Sequence, residues 1–388
     1  MGGPPPVPDD HGEKDDRVEA LDSRECPKCG GKAEWSPRKQ SLVCPYCETV
    51  LDSRADGGEP DGFSGSGDVV RELDLHHALA NIKEASIGKE KGQRKVHCQH
   101  CNAESLVSSE RVADRCQFCG SPKVVAYDEI ESVIQPESLL PKKITKNDAY
   151  SNLKKWLGNK FWAPGDLKSK NLVEEMKGVY IPYWTFDAHA ECPWRATSGD
   201  YYWETEWYTD SQGNRKSRRV RKTRWYPSSG HVSMQFDDVL VPATKLVRAD
   251  FLRQVEPFPT KEVVPYDTVY ISGWQVEHYS VTLLDGAKQG RDLMHSALRS
   301  KAGSEVPGDT YKNLSIYPEY SRETFKHVLV PVWVLLYQYR GKIFQSVVNG
   351  YTGETAGEYP KSGWKIFFAV LLGLIVLGVI LLLVGMSQ

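Results

Sequence analysis

The sequence predicts an α+β chain built from several modules, and three observations carry that prediction. Four C-x-x-C pairs stand in two repeats near the N-terminus. Strand-like runs follow between Val179 and Tyr359, with a helical stretch among them. Last come 21 residues without a charge, Ile366 to Met386. A chain of 388 residues has room for more than one domain. Its 49 basic and 51 acidic residues nearly cancel, which excludes a globally basic nucleic-acid binder but not a local basic patch. The opening MGGPPPVPDDHGEKDDRVEA lacks the basic and apolar regions of a signal peptide, so residues 1–22 are expected as a solvated tail.

The pairs are Cys26/Cys29, Cys44/Cys47, Cys98/Cys101 and Cys116/Cys119, with fourteen residues between pairs in each half and an offset of 72 between halves. A C-x-x-C lets two thiolates from one tight turn point at one ion, and two such knuckles complete a tetrahedral shell of four sulfurs. Gly follows Cys29 and Cys119, where the chain often needs a positive φ. Pro27 and Pro45 give the C-P-x-C form of ribbon knuckles. Repetition of the full spacing argues against buried or disulfide-paired cysteines. Zinc is preferred, with two ions expected, although ligand softness alone leaves a rubredoxin-like iron site open. His97 and His100 flank the third knuckle and, with four Cys available, are expected outside the shell. Roughly 10–16 kcal/mol of apparent metal-binding energy can fold a module of about 30 residues that has almost no core. Ribbon 1 is expected over 23–51 and ribbon 2 over 91–124.

Between the ribbons, residues 52–68 read as a Gly-, Ser- and Asp-rich linker. Its r.m.s. reach of about 20–25 Å would let the two ribbons form a bivalent grip on one partner. A helix is expected within 69–90 from Leu75, Leu79 and Ile82. Over 125–176 a helical connector follows, where Thr145 and Asp148 form a capping box before the face Ala149, Leu153, Trp156 and Leu157. The body is an α+β domain over 177–360 with a mainly antiparallel sheet. Two of its runs, VYIPYW (Val179 to Trp184) and VLVPVW (Val328 to Trp333), share V-x-[IV]-P-x-W and suggest a duplication, with VLVP (Val239 to Pro242) as a partial echo. Pro inside each run argues for strand starts or edges. A helix is expected over Leu283 to Ser300.

One hairpin in this domain is unusually basic. YYWETEWYTD (201–210) turns at SQGN into a strand carrying Arg215, Lys216, Arg218, Arg219, Arg221, Lys222 and Arg224. In one account Glu204 and Glu206 face these bases across a solvated hairpin. In the other the hairpin is an aromatic-edged surface for an anionic partner, lipid headgroups or nucleic acid. The spacing does not choose.

Of the 21 residues from Ile366 to Met386, sixteen are Leu, Ile, Val or Phe. At 1.5 Å per residue they span about 31 Å, the thickness of a bilayer core. Trp364 is placed as an interfacial aromatic, and Lys361 and Lys365 precede the run with nothing basic after it. The positive-inside bias then makes residues 361–388 a single-pass tail anchor in the cell (inner) membrane, with the bulk of the chain in the cytoplasm. Thiolate ribbons want a reducing compartment, which agrees. No P-loop, H-E-x-x-H or G-x-S-x-G occurs, and the unpaired Cys192 reads as a packed residue, so no enzyme is expected.

The paired C-x-x-C modules, GVYIPYWTFDA (178–188), EVVPY (262–266), the segment 325–365 and the terminal apolar run together resemble a bacterial family of zinc-ribbon (TFIIB-type) membrane proteins. Some members carry a label linking them to the primosomal protein N′, a helicase; the missing P-loop speaks against that activity here. The resemblance spans roughly residues 95 to 388. It implies a membrane-bound, non-catalytic zinc-ribbon scaffold or adaptor, with protein partners such as phage-shock A-like or flotillin-like (SPFH) membrane-stress proteins. Nucleic acid is the less favoured partner, through the ribbons and the 215–224 strand, and an unrecognised enzyme site in the β domain is the other alternative.

Overall fold

The structure is a computed structural model describing residues 26–31, 33–51, 72–80, 93–108, 116, 118, 121, 124–129, 134–169, 176–271 and 273–386. At 93–95, 105–108, 124–129, 338, 343, 379 and 381–386 only the backbone is described. The tail expected over 1–22 and the linker over 52–68 lie outside the described residues.

In chain order, the elements begin with β1 (Glu34–Ser36), β2 (Ser41–Val43), β3 (Val50–Leu51), β4 (Leu73–Asp74) and α1 (Leu75–Ala80). Next come β5 (Gln93–Cys98), β6 (Glu104–Ser108), β7 (Val124–Glu129), β8 (Ser138–Leu139), α2 (Lys146–Gly158) and α3 (Gly165–Ser169). The body continues with β9 (Met176–Thr209), β10 (Arg215–Pro242), α4 (Ala249–Val255), β11 (Val264–Pro265), α5 (Thr268–Ile271) and β12 (Gln275–Val276). It closes with α6 (Leu283–Glu305), β13 (Thr310–Ile316), β14 (Glu319–Tyr339), β15 (Lys342–Asn349), β16 (Thr355–Gly357) and α7 (Gly363–Met386). The fold is mixed α and β around a ten-stranded, mainly antiparallel sheet of order β10-β9-β14-β15-β16. The chain forms two compact units: ribbon 1 with Asp267–Gly273, and the segments from Gly65 to Tyr266 and from Trp274 onward.

The two V-x-[IV]-P-x-W runs pair with each other. Val179 to Trp184 in β9 lies antiparallel to Val328 to Trp333 in β14, with Pro182 opposite Leu329 and Pro331 opposite Tyr180. Around this pair the chain is duplicated down to single hydrogen bonds. Pro182 O accepts from Ala243 N, and Ala243 O in turn accepts from Ser280 N and Val281 N. In the other half Pro331 O accepts from Gly350 N, and Gly350 O accepts from Lys143 N and Ile144 N. The two-residue parallel strand β12 lies on β9 at Val179, and β8 lies on β14 at Val328. Each leads into a helix capped by Thr with Asp three residues on, Thr145 and Asp148 for α2, Thr282 and Asp285 for α6. Trp184 Nε1 donates to Val281 O just before α6, and Trp333 Nε1 donates to Ile144 O just before α2. Each indole is therefore tied to the start of the helix that its own half's relay reaches.

This arrangement corrects the expected place of the prolines. Pro182 and Pro331 are inside central strands, not at starts or edges. A residue's N–H and C=O point to the same side of a strand, so the missing donor of each Pro faces the neighbour that takes its carbonyl bond. That neighbour ends there, β10 at Pro242 and β15 at Asn349, and no ladder bond is lost.

Other boundaries also differ from expectation. Within 69–90 the described residues form a short strand, β4, paired with β14, and only six helical residues follow. Strand β7 pairs with β5 as far as Glu129, so ribbon 2 runs beyond 124 into the expected connector. Helix α6 continues five residues past Ser300. Helix α7 is 24 residues long, about 36 Å at 1.5 Å per residue. Among the described residues, counting only those whose side chains are described, no helix is long and apolar enough to cross a membrane.

Close approach of α6 to the sheet depends on two glycines a turn apart. A Cβ on Gly286 would lie 2.5 Å from the Trp184 ring, and one on Gly290 2.7 Å from Phe186. Since Trp184 is fully enclosed and cannot swing away, Gly286→Leu is expected to lower stability by about 1–3 kcal/mol in denaturant unfolding. Ser304→Ala, near the exposed end of the same helix, serves as a control with little change.

The duplication breaks at Glu277. In one half Leu140 N donates to Leu329 O, and in the other Glu277 N donates to Tyr180 O, so a buried carboxyl stands where its counterpart has a buried Leu. Burial pushes the Glu277 carboxyl up to about 8, against the Thr244 hydroxyl that donates to it. The folded state therefore holds a proton that the unfolded chain releases near its ordinary value of 4.5. The associated stability is complete below that value and is lost as pH rises through about 8. Relative to Glu277→Gln, the unsubstituted chain should lose melting temperature steadily across that window, and equal slopes would contradict it.

Candidate metal centres

Ribbon 1 is a three-stranded antiparallel sheet, β1-β2-β3, over a minimal core of Ala33, Trp35 and Leu42. Within the same unit Trp35 meets Tyr270 of α5 with ring centroids 4.7 Å apart. Two tight turns present its sulfurs. Gly30 N donates to Cys26 O at 2.8 Å and Cys26 N to Gly31 O at 2.8 Å; Glu48 N donates to Cys44 O at 2.9 Å and Cys44 N to Thr49 O at 2.9 Å. The residue after each second Cys has positive φ, 72° at Gly30 and 56° at Glu48. The expected role of Gly30 thus holds, and Glu48 adopts the same conformation without being Gly.

Cys26, Cys29, Cys44 and Cys47 bring their four sulfurs within 4.8 Å of one another. The Cys26–Cys47 separation is 3.5 Å and the Cys29–Cys44 separation 3.4 Å. Four sulfurs about 2.3 Å from a tetrahedral ion would stand about 3.8 Å apart, so the cluster fits one such ion. The Gly31 amide favours the Cys29 thiolate, yet the sulfurs of Cys44 and Cys47 outweigh it and push that thiol up to about 12. Cys47 is drawn down to about 6, first by the Thr49 hydroxyl and then by the Thr49 amide. Crowded sulfurs sharing protons in this way are what a divalent cation would relieve.

Ribbon 2 is also a three-stranded sheet, of order β6-β5-β7, but its central strand precedes the first knuckle, whereas that of ribbon 1 lies between the knuckles. Asn102 N donates to Cys98 O at 2.8 Å, Cys98 N to Ala103 O at 3.0 Å and Cys116 N to Ser121 O at 2.8 Å, with Asn102 at φ 59°. Cys98, Cys101 and Cys116 form a three-sulfur cluster, Cys101 and Cys116 being 3.7 Å apart. Cys119, the expected fourth ligand, lies outside the described residues. His97 Nδ1 is 3.8 Å from the Glu104 carboxylate and His100 is exposed, so neither joins the sulfurs. Unlike a free-standing module, this ribbon shares the body's core: Cys98, Ala103, Cys116 and Phe118 belong to one buried cluster with Leu140, Ile181 and Val330. His278 N donates to Glu104 O beside the Glu277 carboxyl, which is where the duplication breaks.

The remaining sequence-predicted residues divide in three ways. The basic hairpin is described below. Trp364 and Ile366 are exposed on α7, whereas Lys365 Nζ donates to Phe161 O at 2.7 Å and Ala163 O at 2.9 Å; the Met386 side chain is outside the described set. Cys192 is buried and its sulfur faces Pro193 O, as a packed residue would. The sequence reading missed several buried polar groups. His327 is pushed down to about 4 by burial, and its amide donates to Glu137, whose carboxyl burial pushes up to about 7. Asn349 of V-N-G-x-T-G-E accepts from Tyr351 N and Thr352 N and donates to Val255 O, which makes the motif a turn locked to α4.

No family model matches the chain, and no solved structure matches it. Among curated proteins, the uncharacterized protein YdjG of Bacillus subtilis (strain 168) is similar, 23% identical over 245 residues, covering 62% of this chain and 69% of that protein.

The two centres should respond differently to loss. Cys98→Ser should lower the melting temperature of the whole body, because its cluster is continuous with the core. Cys26→Ser should leave that transition in place while lowering bound metal by about one ion per chain. Calorimetry with metal analysis checks both. Equal destabilisation by the two substitutions would contradict the asymmetry.

Proposed function

We propose that the chain is a non-catalytic, membrane-attached zinc-ribbon adaptor that presents ribbon 1 to a protein partner on the cytoplasmic side. The observation that carries this reading is the different use of two modules with the same spacing. Cys98 and Cys116 of ribbon 2 are part of the body's core and Cys101 packs against it, whereas ribbon 1 belongs to a unit of its own and exposes Lys28 and Tyr46 at its two knuckle tips. A metal module with almost no core is well suited to display, because the ion holds its shape without using its surface for folding. Each ribbon would hold one zinc through four thiolates, Cys119 completing the second set.

Membrane attachment rests on α7. Its 24 residues include one charge, Lys365, which lies near the start and is engaged by backbone carbonyls. Trp364, Phe367 and Phe368 cluster at the same end, with Trp364 and Phe368 stacked at 5.9 Å, as an interfacial aromatic belt would require. Membrane-stress proteins of the phage-shock A-like or SPFH kind are the partners that the family resemblance favours.

Crosslinking in intact membranes tests the reading. Tyr46→Ala or removal of 23–51 should cut captured protein partners by more than half while the body still folds. Unchanged capture would end the role given to ribbon 1. After truncation at 360 an alkaline wash should release the chain from membranes, and truncated protein that resists alkaline extraction would contradict a single anchor.

A further inference from the structure

The hairpin formed by the distal parts of β9 and β10 segregates its charges by face. Its register is unbroken from Thr209 opposite Arg215 to Tyr201 opposite Thr223, so odd-numbered residues share one face and even-numbered residues the other. The even face balances itself. Lys222 reaches Glu204 at 2.7 Å and Glu206 at 3.2 Å, Arg218 reaches Glu206 at 3.2 Å, and Lys216 holds Asp210 at 2.9 Å. The odd face carries Tyr201, Trp203, Trp207, Arg215, Arg219 and Arg221, with only Ser and Thr between them and no carboxylate.

On that face cations and rings alternate. Arg215 lies 5.6 Å from the Trp207 ring, Arg219 5.7 Å from Trp203 and Arg221 4.2 Å from Tyr201. Lys312 of β13 continues the row over Trp225 at 4.0 Å. Trp203 and Trp207 remain 59% and 63% exposed, far more than their pairing with Arg accounts for. Strand β13 joins β9 only up to Gly199, beyond which β9 pairs with β10 alone. About ten residues per strand therefore extend as a two-stranded ribbon, reaching about 30 Å.

We propose that the odd face of this ribbon docks flat on an anionic lipid surface, its Arg side chains at the phosphates and its Trp and Tyr rings at headgroup depth. Exposed Trp and Tyr beside Arg is the mixture that partitions to the membrane–water boundary. The unneutralised cations complement the negative leaflet. Single-stranded nucleic acid would use the same rings and cations, so the nearness of a bilayer is what favours lipid, and the test separates the two. The proposal draws on the adaptor reading for the nearness of a bilayer, but it concerns a different part of the chain and is tested separately.

The test uses the full chain with vesicles of phosphatidylcholine, alone or mixed with phosphatidylglycerol, made with brominated acyl chains. The hairpin's share of tryptophan quenching is the difference between the parent and W203F/W207F. That share should be present with phosphatidylglycerol, fall by more than half without it, fall likewise in R215Q/R219Q/R221Q, and survive in K216Q/R218Q/K222Q. No difference between the parent and W203F/W207F overturns the proposal, as does equal loss in the two triple variants. It is also overturned if single-stranded oligonucleotide binding, and not quenching, is what R215Q/R219Q/R221Q abolishes. If an alkaline wash releases the chain from vesicles, the anchor reading fails by itself. Arg-dependent sedimentation of the same chain with phosphatidylglycerol vesicles at neutral pH would then still support the hairpin, and its absence would overturn it.

Discussion

The body depends on two proline carbonyls. Pro182 and Pro331 each accept one bond from the residue just beyond a neighbouring strand, Ala243 and Gly350, and those residues accept from the segments that start α6 and α2. One short relay in each half thus fixes where an outer strand stops, where the chain turns and where a helix begins. The Trp two residues after each Pro completes the relay by holding the carbonyl in front of that same helix.

Part of this was legible. The repeated V-x-[IV]-P-x-W pointed to two related strands though not to their pairing, the capping box at Thr145 marked the start of α2, and the cysteine spacing marked one four-sulfur cluster and three sulfurs of a second. The matching cap at Thr282 and Asp285 was equally plain in sequence, but its relation to Thr145 and Asp148 emerges only when the strands are paired. The prolines were misplaced because the edge rule considers a strand as a whole. What matters is the end of the one neighbour that the missing N–H faces. Gly286 and Gly290 lowered the helix propensity of α6, and nothing local signalled that the indole and phenyl rings of one strand, β9, required the space. The charge segregation of the hairpin needed its register: a shift by one residue would have put Glu204 and Glu206 opposite different partners.

The two ribbons show how context changes the role of a motif. Where both are described their turns match, with a bond back from the residue after Cys29 and after Cys101 and a positive φ at Gly30 and Asn102. In ribbon 2, Phe118 and Ala103 add apolar surface that continues into the sheet, while ribbon 1 has little beyond Trp35 and Leu42. Where a module contributes to a larger core, its metal and that core stabilise each other; where it does not, the metal supplies nearly all of its stability. The buried Glu277 beside ribbon 2 belongs to the same contrast, since a Leu there, as in the other half, would give that surface no polar side chain.

The joint between α7 and the body has a mechanical consequence. Lys365 spans to the carbonyls of Phe161 and Ala163, and Ser362 N donates to Trp162 O, so the first turn of the helix is fastened to the 161–163 loop. Such a joint has little slack and works as a lever. A helix tilt of about 20° would carry a point 30 Å from the joint through about 10 Å. Inclination of α7 would then carry over directly to the 161–163 loop that holds its first turn.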